Sequence, residues 1–392
     1  MAELLLQTTC NGKTNMKMNP IQMVDLKSQY LRIKPEIDAA IQHVLDSTAF
    51  IQGAPVKEFE ESLSQYTGNK YVISCGNGTD ALTAALMALE IGPGDEVVTT
   101  PFTFIATVEA IALVGATPVF VDVCEETFTL NVDQLERAIT PKTKAIIPVH
   151  LYGQCADMEP ILNIANQHNI RVIEDACQAI GTEYHFADGS VKQAGTMGTV
   201  GCLSFFPSKN LGCFGDGGAL MTNDADLAGK LQSICRHGSS ERYHHERIGL
   251  NSRLDTLQAA ILTVKLDHLQ EYITARKEAA TYYHSSLSDL DWLSLPASSP
   301  YSTHTYHQFT VRVRNGRRDA LKQHIVDKGI PSAIYYPVPA HLQPAYASLN
   351  HHKGDFPVAE QLCEEVLSLP MHTELTKEQL DYICHTIKNF PL

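Results

Sequence analysis

Seven short apolar runs separated by helical patterns constrain this chain more than any other feature. They fall at 71–74, 96–100, 119–122, 145–149, 171–174, 201–206 and 218–222, with helix-forming stretches between most of them. Parallel strands need long crossovers, and helical crossovers cover the sheet, so the alternation predicts an α/β sheet with both faces buried. Ligands on such sheets collect beyond the carboxyl ends of the strands. The 392 residues exceed the roughly 250–300 that one core supports, so a second domain is expected. We expect a polar extension over residues 1–20, a large sheet domain over 21–265 and a smaller C-terminal α/β domain over 266–392. Residues 254–280 read as one long helix leaving the large domain.

Three strand ends carry chemistry. The run Tyr71-Val-Ile-Ser-Cys75 leads into Gly76-Asn-Gly78-Thr79 and then a helical stretch, 79–89. Glycines let backbone approach an anion, and the free N–H groups of a helix start attract phosphate. Gly76-x-Gly78-x-x-Ala81 also fits the relaxed dinucleotide fingerprint, and a ligand-free turn would explain the stretch taken alone. Asp175 ends the run Arg171-Val-Ile-Glu-Asp175. An acid there can pair with the ring nitrogen of pyridoxal phosphate, so that the ring draws electrons. Lys209 follows 34 positions later, inside Ser204-Phe-Phe-Pro-Ser-Lys209-Asn-Leu-Gly. Apolar and small neighbours disfavour its ammonium form, and such an amine condenses with an aldehyde near neutral pH. A solvated lysine and a turn aspartate are the ordinary occupants of such positions. With a phosphate loop upstream, Lys209 and Asp175 become the expected catalytic pair, and a single cofactor phosphate is favoured over a dinucleotide.

Ordered matches run from about Ile21 to the C-terminus. They include Val24-Asp-Leu-Lys-Ser-Gln-Tyr30, Phe50-Ile-Gln-Gly53, Gly76-Asn-Gly-Thr-Asp-Ala-Leu82 and Thr100-Pro-Phe-Thr-Phe-Ile-Ala-Thr107. Pro148-Val-His-Leu-Tyr-Gly153, Glu174-Asp-Ala-Cys-Gln178, Asn251-Ser-Arg-Leu-Asp-Thr-Leu-Gln-Ala-Ala260 and Tyr336-Pro-Val-Pro-Ala-His-Leu-Gln-Pro-Ala-Tyr346 continue them. In these the chain resembles the sugar aminotransferases of the DegT/StrS type, which use pyridoxal 5'-phosphate on the type I aminotransferase fold. Ser204–Gly218 and the run Arg236-His-Gly with Arg242-Tyr-His-His245 are most similar to the UDP-2-acetamido-2-deoxy-3-oxo-glucuronate aminotransferases among them.

The resemblance implies roles. Gly78, Thr79 and Ser204 hold the cofactor phosphate, Phe104 stacks on its ring and Gln178 lies near its phenolic oxygen. Asn251 reaches the partner subunit's cofactor phosphate and Arg253 the partner's substrate pocket, which requires a homodimer with shared active sites. The ordinary readings are core packing for Phe104, a surface amide for Gln178 and a local backbone hydrogen bond for Ser204. L-glutamate is the implied amino donor and a nucleotide-linked keto-sugar the acceptor. The best match is C3 of a UDP-3-keto-N-acetylglucosaminuronate destined for a bacterial surface polysaccharide, a lipopolysaccharide O-antigen. Arg253 would grip the uronate carboxylate bidentately, Tyr336 would hydrogen-bond the sugar, and the arginine-rich segment 236–247 would cover the nucleotide. Tyr335-Tyr336-Pro337 stands where the resemblance expects His-Tyr-Pro, which alters the sugar-facing wall. The alternatives are amination of a UDP- or dTDP-4-keto-6-deoxy sugar, and a non-catalytic regulatory protein of the same fold. A sugar dehydratase of this fold would carry histidine at the lysine position, and Lys209 stands against it.

Composition excludes other classes. A net charge of −14 disfavours a nucleic-acid surface and leaves any phosphorylated ligand to a local pocket. Ten cysteines without a C-x-x-C pair read as the reduced thiols of a cytoplasmic protein. The start, Met1-Ala-Glu-Leu-Leu-Leu, has an acid where a signal peptide needs a base. Glu109, Gly115 and Pro118 interrupt the apolar stretch 102–123, which reads as helix then strand and not as a membrane span. His244-His245 lacks a second ligand cluster at zinc spacing, so no metal is expected.

Overall fold

The computed structural model describes residues 19–241 and 243–391; residues 1–18 of the expected extension, Arg242 and Leu392 lie outside the described residues. Its main sheet has seven strands: β1 (Tyr71–Cys75), β2 (Glu96–Thr99), β3 (Thr117–Phe120), β4 (Thr143–Ile146), β5 (Arg171–Asp175), β6 (Val200–Ser204) and β7 (Gly218–Thr222). Their order is β1-β7-β6-β5-β4-β2-β3. Each matches one of the seven apolar runs, with ends displaced by a few residues.

All neighbours are parallel except β7, which runs antiparallel to both β1 and β6. The reason is local. The connection from β6 to β7 contains no helix, and a chain that turns back directly can only pair antiparallel. That helix-free connection carries Lys209.

Strand alternation divides the core into two layers. Ile73, Val97, Ala145, Ile173, Cys202 and Leu220 pack with the helices Gly78–Ala88, Ala106–Leu113 and Ala225–Ile234. Their neighbours Val72, Val98, Ile146, Val172, Leu203 and Met221 pack with Ala54–Thr67, Met158–Gln167 and Thr256–Asp267. A period of two therefore covers both faces. Alternation also separates the two carboxylates that end β5. The buried Glu174 carboxylate accepts N–H bonds from Gly195 at 2.8 Å and Met197 at 2.6 Å. His150 Nε2 donates to it at 2.9 Å, its Nδ1 being occupied in accepting Ala156 N–H at 3.1 Å. Glu174 is thus a structural anchor, and Asp175 is left to the other side.

The C-terminal part has its own three-stranded antiparallel sheet (Leu293–Ser294, Phe309–Val313 and Val366–Leu369). Its core includes Tyr283, Leu287, Val311, Leu321, Ile383 and, from the start of the described chain, Ile21. The single long helix expected over 254–280 is two, Thr256–Asp267 and Leu269–Leu287. They part at His268, whose backbone N–H bonds to Leu266 and whose Nε2 is drawn to Glu36 at 3.0 Å. From the second helix the buried Arg276 donates to the carbonyls of Tyr306 (3.1 Å), His307 (3.3 Å) and Met371 (3.1 Å).

The first helix clamps the connection that carries Lys209. Gln258 Oε1 accepts Phe214 N–H at 2.7 Å. Two turns on, the buried Lys265 donates to the Gly212 carbonyl and lies 5.4 Å from the Phe214 ring centre. Burial pulls the Lys265 pKa from 10.5 down to about 8. Between those values the unfolded chain keeps a proton that the folded chain has shed, so this group adds stability as pH rises from 8 to 10.5. The full gain is on the order of 3 kcal/mol. Urea unfolding of Lys265→Met beside the unsubstituted protein should show the variant's relative stability falling by that order between pH 7 and 10.5. A pH-independent difference would contradict the buried ammonium.

Candidate active site

Strand register brings the catalytic candidates together. Gly218, first residue of β7, is paired with Cys75 on one side and Ser204 on the other, while Asp175 is paired with Cys202. The loop after β1, the strand leading to Lys209 and the acid ending β5 therefore lie at one end of the sheet. Two glycines permit the approach. A Cβ on Gly218 would lie 2.5 Å from the Asn77 carbonyl, and one on Gly78 would lie 2.7 Å from Ser204 Cβ and 3.0 Å from Cys177 Sγ. Asn77 caps the helix that follows by accepting Asp80 N–H at 2.8 Å. The N–H groups of the first turn, Gly78 and Thr79 among them, have no intrahelical acceptor. With the Ser204 hydroxyl they line one cavity at the positive end of the helix, a cradle suited to an anion.

This end of the sheet opens into a cavity of about 560 Å³. Gly78, Thr79, Phe104, Asp175, Gln178, Ser204, Lys209 and Tyr336 all line it. Asp175 is buried, and the Thr107 hydroxyl donates to one carboxylate oxygen at 2.7 Å while Cys177 N–H donates to the other at 3.2 Å. Lys209 is partly exposed, as a cavity wall is, yet protein surrounds it closely. Burial holds its pKa below 10.5, against the opposing pull of Cys177 and Asp175. The amine is thereby biased toward the neutral, nucleophilic form.

Gln178 is no loose surface amide: its Oε1 accepts Tyr152 N–H at 2.9 Å and its Nε2 donates to the Tyr336 hydroxyl at 3.0 Å. Phe104 is not core packing either. It is 53% exposed, and its ring centre lies 6.0 Å from that of Tyr336. Among the described residues Ser204 Oγ has only a long contact, accepting Phe206 N–H at 3.4 Å, which leaves its proton and a lone pair for the cavity.

Asn251 and Arg253 do not line this cavity. Asn251 is exposed and bridges to Arg236, and Arg253 is half-buried. Ser252 between them accepts Gly76 N–H at 2.9 Å, so the segment braces the outer side of the loop after β1. His244 and His245 are exposed on a short hairpin with Ser239–Glu241.

Sequence reasoning missed Thr107, which bonds Asp175, and the cavity-lining Tyr152, Cys177, His307 and Gln308, the last two from the C-terminal part of the chain. Thr107 and Tyr152 lie inside runs already singled out, but nothing in their spacing distinguishes them from core residues. The last two come from a segment with no local motif.

A buried acid, a deep lysine with a depressed pKa and an anion cradle in one cavity fit the ring nitrogen, aldehyde and phosphate of pyridoxal phosphate. Residues 31–388 match the DegT/DnrJ/EryC1/StrS aminotransferase family. The chain belongs to that family. A UDP-2-acetamido-2-deoxy-3-oxo-D-glucuronate aminotransferase of Pseudomonas aeruginosa is 47% identical to it over 369 residues, 94% of this chain and 100% of that protein. A UDP-N-acetyl-3-dehydro-alpha-D-glucosamine 3-aminotransferase of Acidithiobacillus ferrooxidans is 47% identical over 94% of this chain and 97% of its own length. A pleiotropic regulatory protein of Geobacillus stearothermophilus is also 47% identical, over 94% and 98%. Among solved structures, S. venezuelae DesV has a TM-score of 0.91 at 41% identity, covering 95% of this chain and 98% of that one. Bacillus subtilis NtdA with bound cofactor PMP has a TM-score of 0.86 at 32% identity, covering 96% and 87%.

The cradle depends on the missing side chain at position 78. Gly78→Ala should weaken pyridoxal phosphate binding by about one to two decades, the worth of a charge-assisted phosphate contact. Gly229→Ala, on an exposed helical turn with nothing near the added carbon, should bind normally. Cofactor titration by absorbance checks both; equal affinities would overturn the cradle.

Proposed function

We propose that this aminotransferase carries nitrogen from L-glutamate to a nucleotide-linked keto-sugar, with Lys209 and Asp175 as its catalytic residues. The observation that carries this reading is the convergence of Lys209, Asp175 and the Gly78–Thr79 helix start on one cavity. Bound pyridoxal phosphate would supply an electrophilic carbon and an electron-withdrawing ring. Gly78, Thr79 and Ser204 would hold its phosphate, and Asp175, kept in place by Thr107, would hold a proton on the ring nitrogen. Lys209, biased toward the neutral amine, would be the residue that bonds the cofactor's aldehyde and would carry the proton taken from the substrate carbon. Phe104 would cover the ring, Gln178 would hydrogen-bond near its phenolic oxygen, and Tyr336 would orient the sugar.

Purified protein should be yellow and should bleach on addition of L-glutamate. Lys209→Ala should lose that absorbance band, whereas Asp175→Asn should keep cofactor but lose about two to four decades of turnover. A colourless protein indifferent to glutamate would favour the regulatory reading instead.

For the acceptor we favour C3 of a UDP-3-keto-N-acetylglucosaminuronate, as a step toward a bacterial surface polysaccharide in the cytoplasm. Both transaminases of 47% identity have a 3-oxo or 3-dehydro sugar in their names. Only the uronate has a carboxylate that needs a bidentate cation, and Arg253 is the residue assigned to it. Because Arg253 and Asn251 lie off their own cavity, this assignment places them in the partner's site of a homodimer. Mixing Lys209→Ala chains with Asn251→Ala/Arg253→Ala chains should restore part of the activity. Arg253→Ala should slow uronate turnover by about one to two decades and leave a neutral keto-sugar unaffected. Full activity from a monomer in sedimentation would rule out the shared site. Turnover of a 4-keto-6-deoxy sugar alone would rule out the uronate.

A further inference from the structure

Three side-chain amides line the cavity, and two of them already have structural duties. Asn77 Oδ1 caps a helix, and Gln178 is bonded at both ends, to Tyr152 N–H and to the Tyr336 hydroxyl. Gln308 is the third. It is only 7% exposed, yet among the described residues neither its Oε1 nor its Nε2 has a hydrogen-bond partner. Neither atom is sealed inside protein, so what exposure the amide keeps is turned to the cavity it lines. A polar side chain so deep and unpaired is costly unless a ligand pairs with it.

Backbone contacts fix where that amide stands. The next residue, Phe309, begins the central strand of the C-terminal sheet and is buried in that core. Successive side chains of extended chain point opposite ways, which directs Gln308 out of that core and toward the cavity. Its N–H donates to the Tyr152 carbonyl at 3.4 Å, on the residue whose own N–H is held by Gln178. Just before it, the His307 carbonyl accepts from Arg276 at 3.3 Å. Asn210, the residue after Lys209, donates its side-chain N–H to the Thr305 carbonyl at 3.2 Å. The segment bearing Gln308 is thus tied both to the lysine connection and to the row Tyr152, Gln178 and Tyr336, the part of the cavity assigned above to the sugar.

A primary amide presents a donor and an acceptor side by side. Against a carboxylate its N–H groups are used and its carbonyl oxygen is repelled. Against another amide both are used. L-Glutamate carries carboxylates and no amide. The acceptor favoured above carries an acetamido group at C2, one bond from the carbon that is aminated.

We propose that Gln308 is the specificity-determining residue that reads this acetamido group: its Nε2 donates to the acetamido carbonyl and its Oε1 accepts the acetamido N–H. The inference rests on the reading of the acceptor as a 2-acetamido-3-keto sugar nucleotide.

UDP-N-acetylglucosamine and UDP-glucose differ only in the acetamido group or hydroxyl at C2, and neither has a ketone to aminate. Each is titrated by calorimetry into the full-length protein in excess pyridoxamine phosphate. The unsubstituted protein should bind the N-acetyl nucleotide more tightly by about one to two decades, the worth of two neutral hydrogen bonds. Gln308→Leu should lose most of that preference by weakening the N-acetyl nucleotide while changing UDP-glucose little. An unsubstituted protein without the preference, or a preference that survives in Gln308→Leu, would overturn the proposal. So would an equal loss for both nucleotides, which a general change of cavity shape would produce. If Gln308→Leu does not fold, Gln308→Glu keeps the size, removes the donor and should also lose the preference; a Glu variant that retains it would overturn the proposal. Bleaching by L-glutamate is scored separately on the unsubstituted protein. A protein that discriminates at C2 without bleaching would keep the Gln308 site and lose the transaminase reading, and one that bleaches without discriminating would lose the Gln308 site alone.

Discussion

The site depends on the close contact of backbones at Gly218. There β7 begins between Cys75 of β1 and Ser204 of β6, and the loop after β1 lies directly over it. A side chain at 218 would meet the Asn77 carbonyl, and one at 78 would meet Ser204. With both absent, the start of the helix approaches the strand that leads to Lys209. Ser252 holds the loop from outside through Gly76, and Asn77 caps the helix within it. The antiparallel return of β7 sets this row of residues in place. A helical crossover there would have carried Lys209 away.

Electrostatics follow from burial more than from net charge. The protein carries −14 overall, yet Lys209, Lys265 and Arg276 are all buried deeply enough for desolvation to depress their pKa values. Only Lys209 has an acid beside it in the cavity. Lys265 and one terminal nitrogen of Arg276 donate to backbone carbonyls and so act as clamps, one on the lysine connection and one on the segment bearing His307. Desolvation favours a neutral amine at Lys209, and the neighbouring Asp175 limits how far. The role proposed for Lys209, alternating between nucleophile and proton carrier, needs that balance.

The two carboxylates ending β5 illustrate how neighbours acquire different duties. Glu174 and Asp175 are adjacent carboxylates, and both are buried. Strand alternation turns Glu174 toward His150 and the N–H groups of Gly195 and Met197, where its oxygens are used up. Asp175 faces the cavity, and its two protein donors orient it without enclosing it.

The positions of the seven strands were legible because each is a short apolar run bounded by turn residues, and side-chain burial on a sheet repeats every two residues. Lys209, Asp175 and Gly78 were legible for a related reason: each follows a strand within a few positions, where α/β sheets present chemistry. The division of the segment after residue 254 at His268 was not legible, because a contact with Glu36, far away in sequence, draws the side chain there. Nor were Thr107, which bonds to Asp175 68 residues away in the chain, and His307, which lines the same cavity as Lys209 from 98 residues further on. The sequence by itself determined the alternating architecture, the lysine, the acid and the phosphate loop, since local pattern and side-chain chemistry suffice for these. Tertiary structure alone decided which strand returns antiparallel, which of two adjacent carboxylates faces the cavity and which histidine closes it. Those outcomes depend on register and long-range packing, which join residues that no local pattern connects.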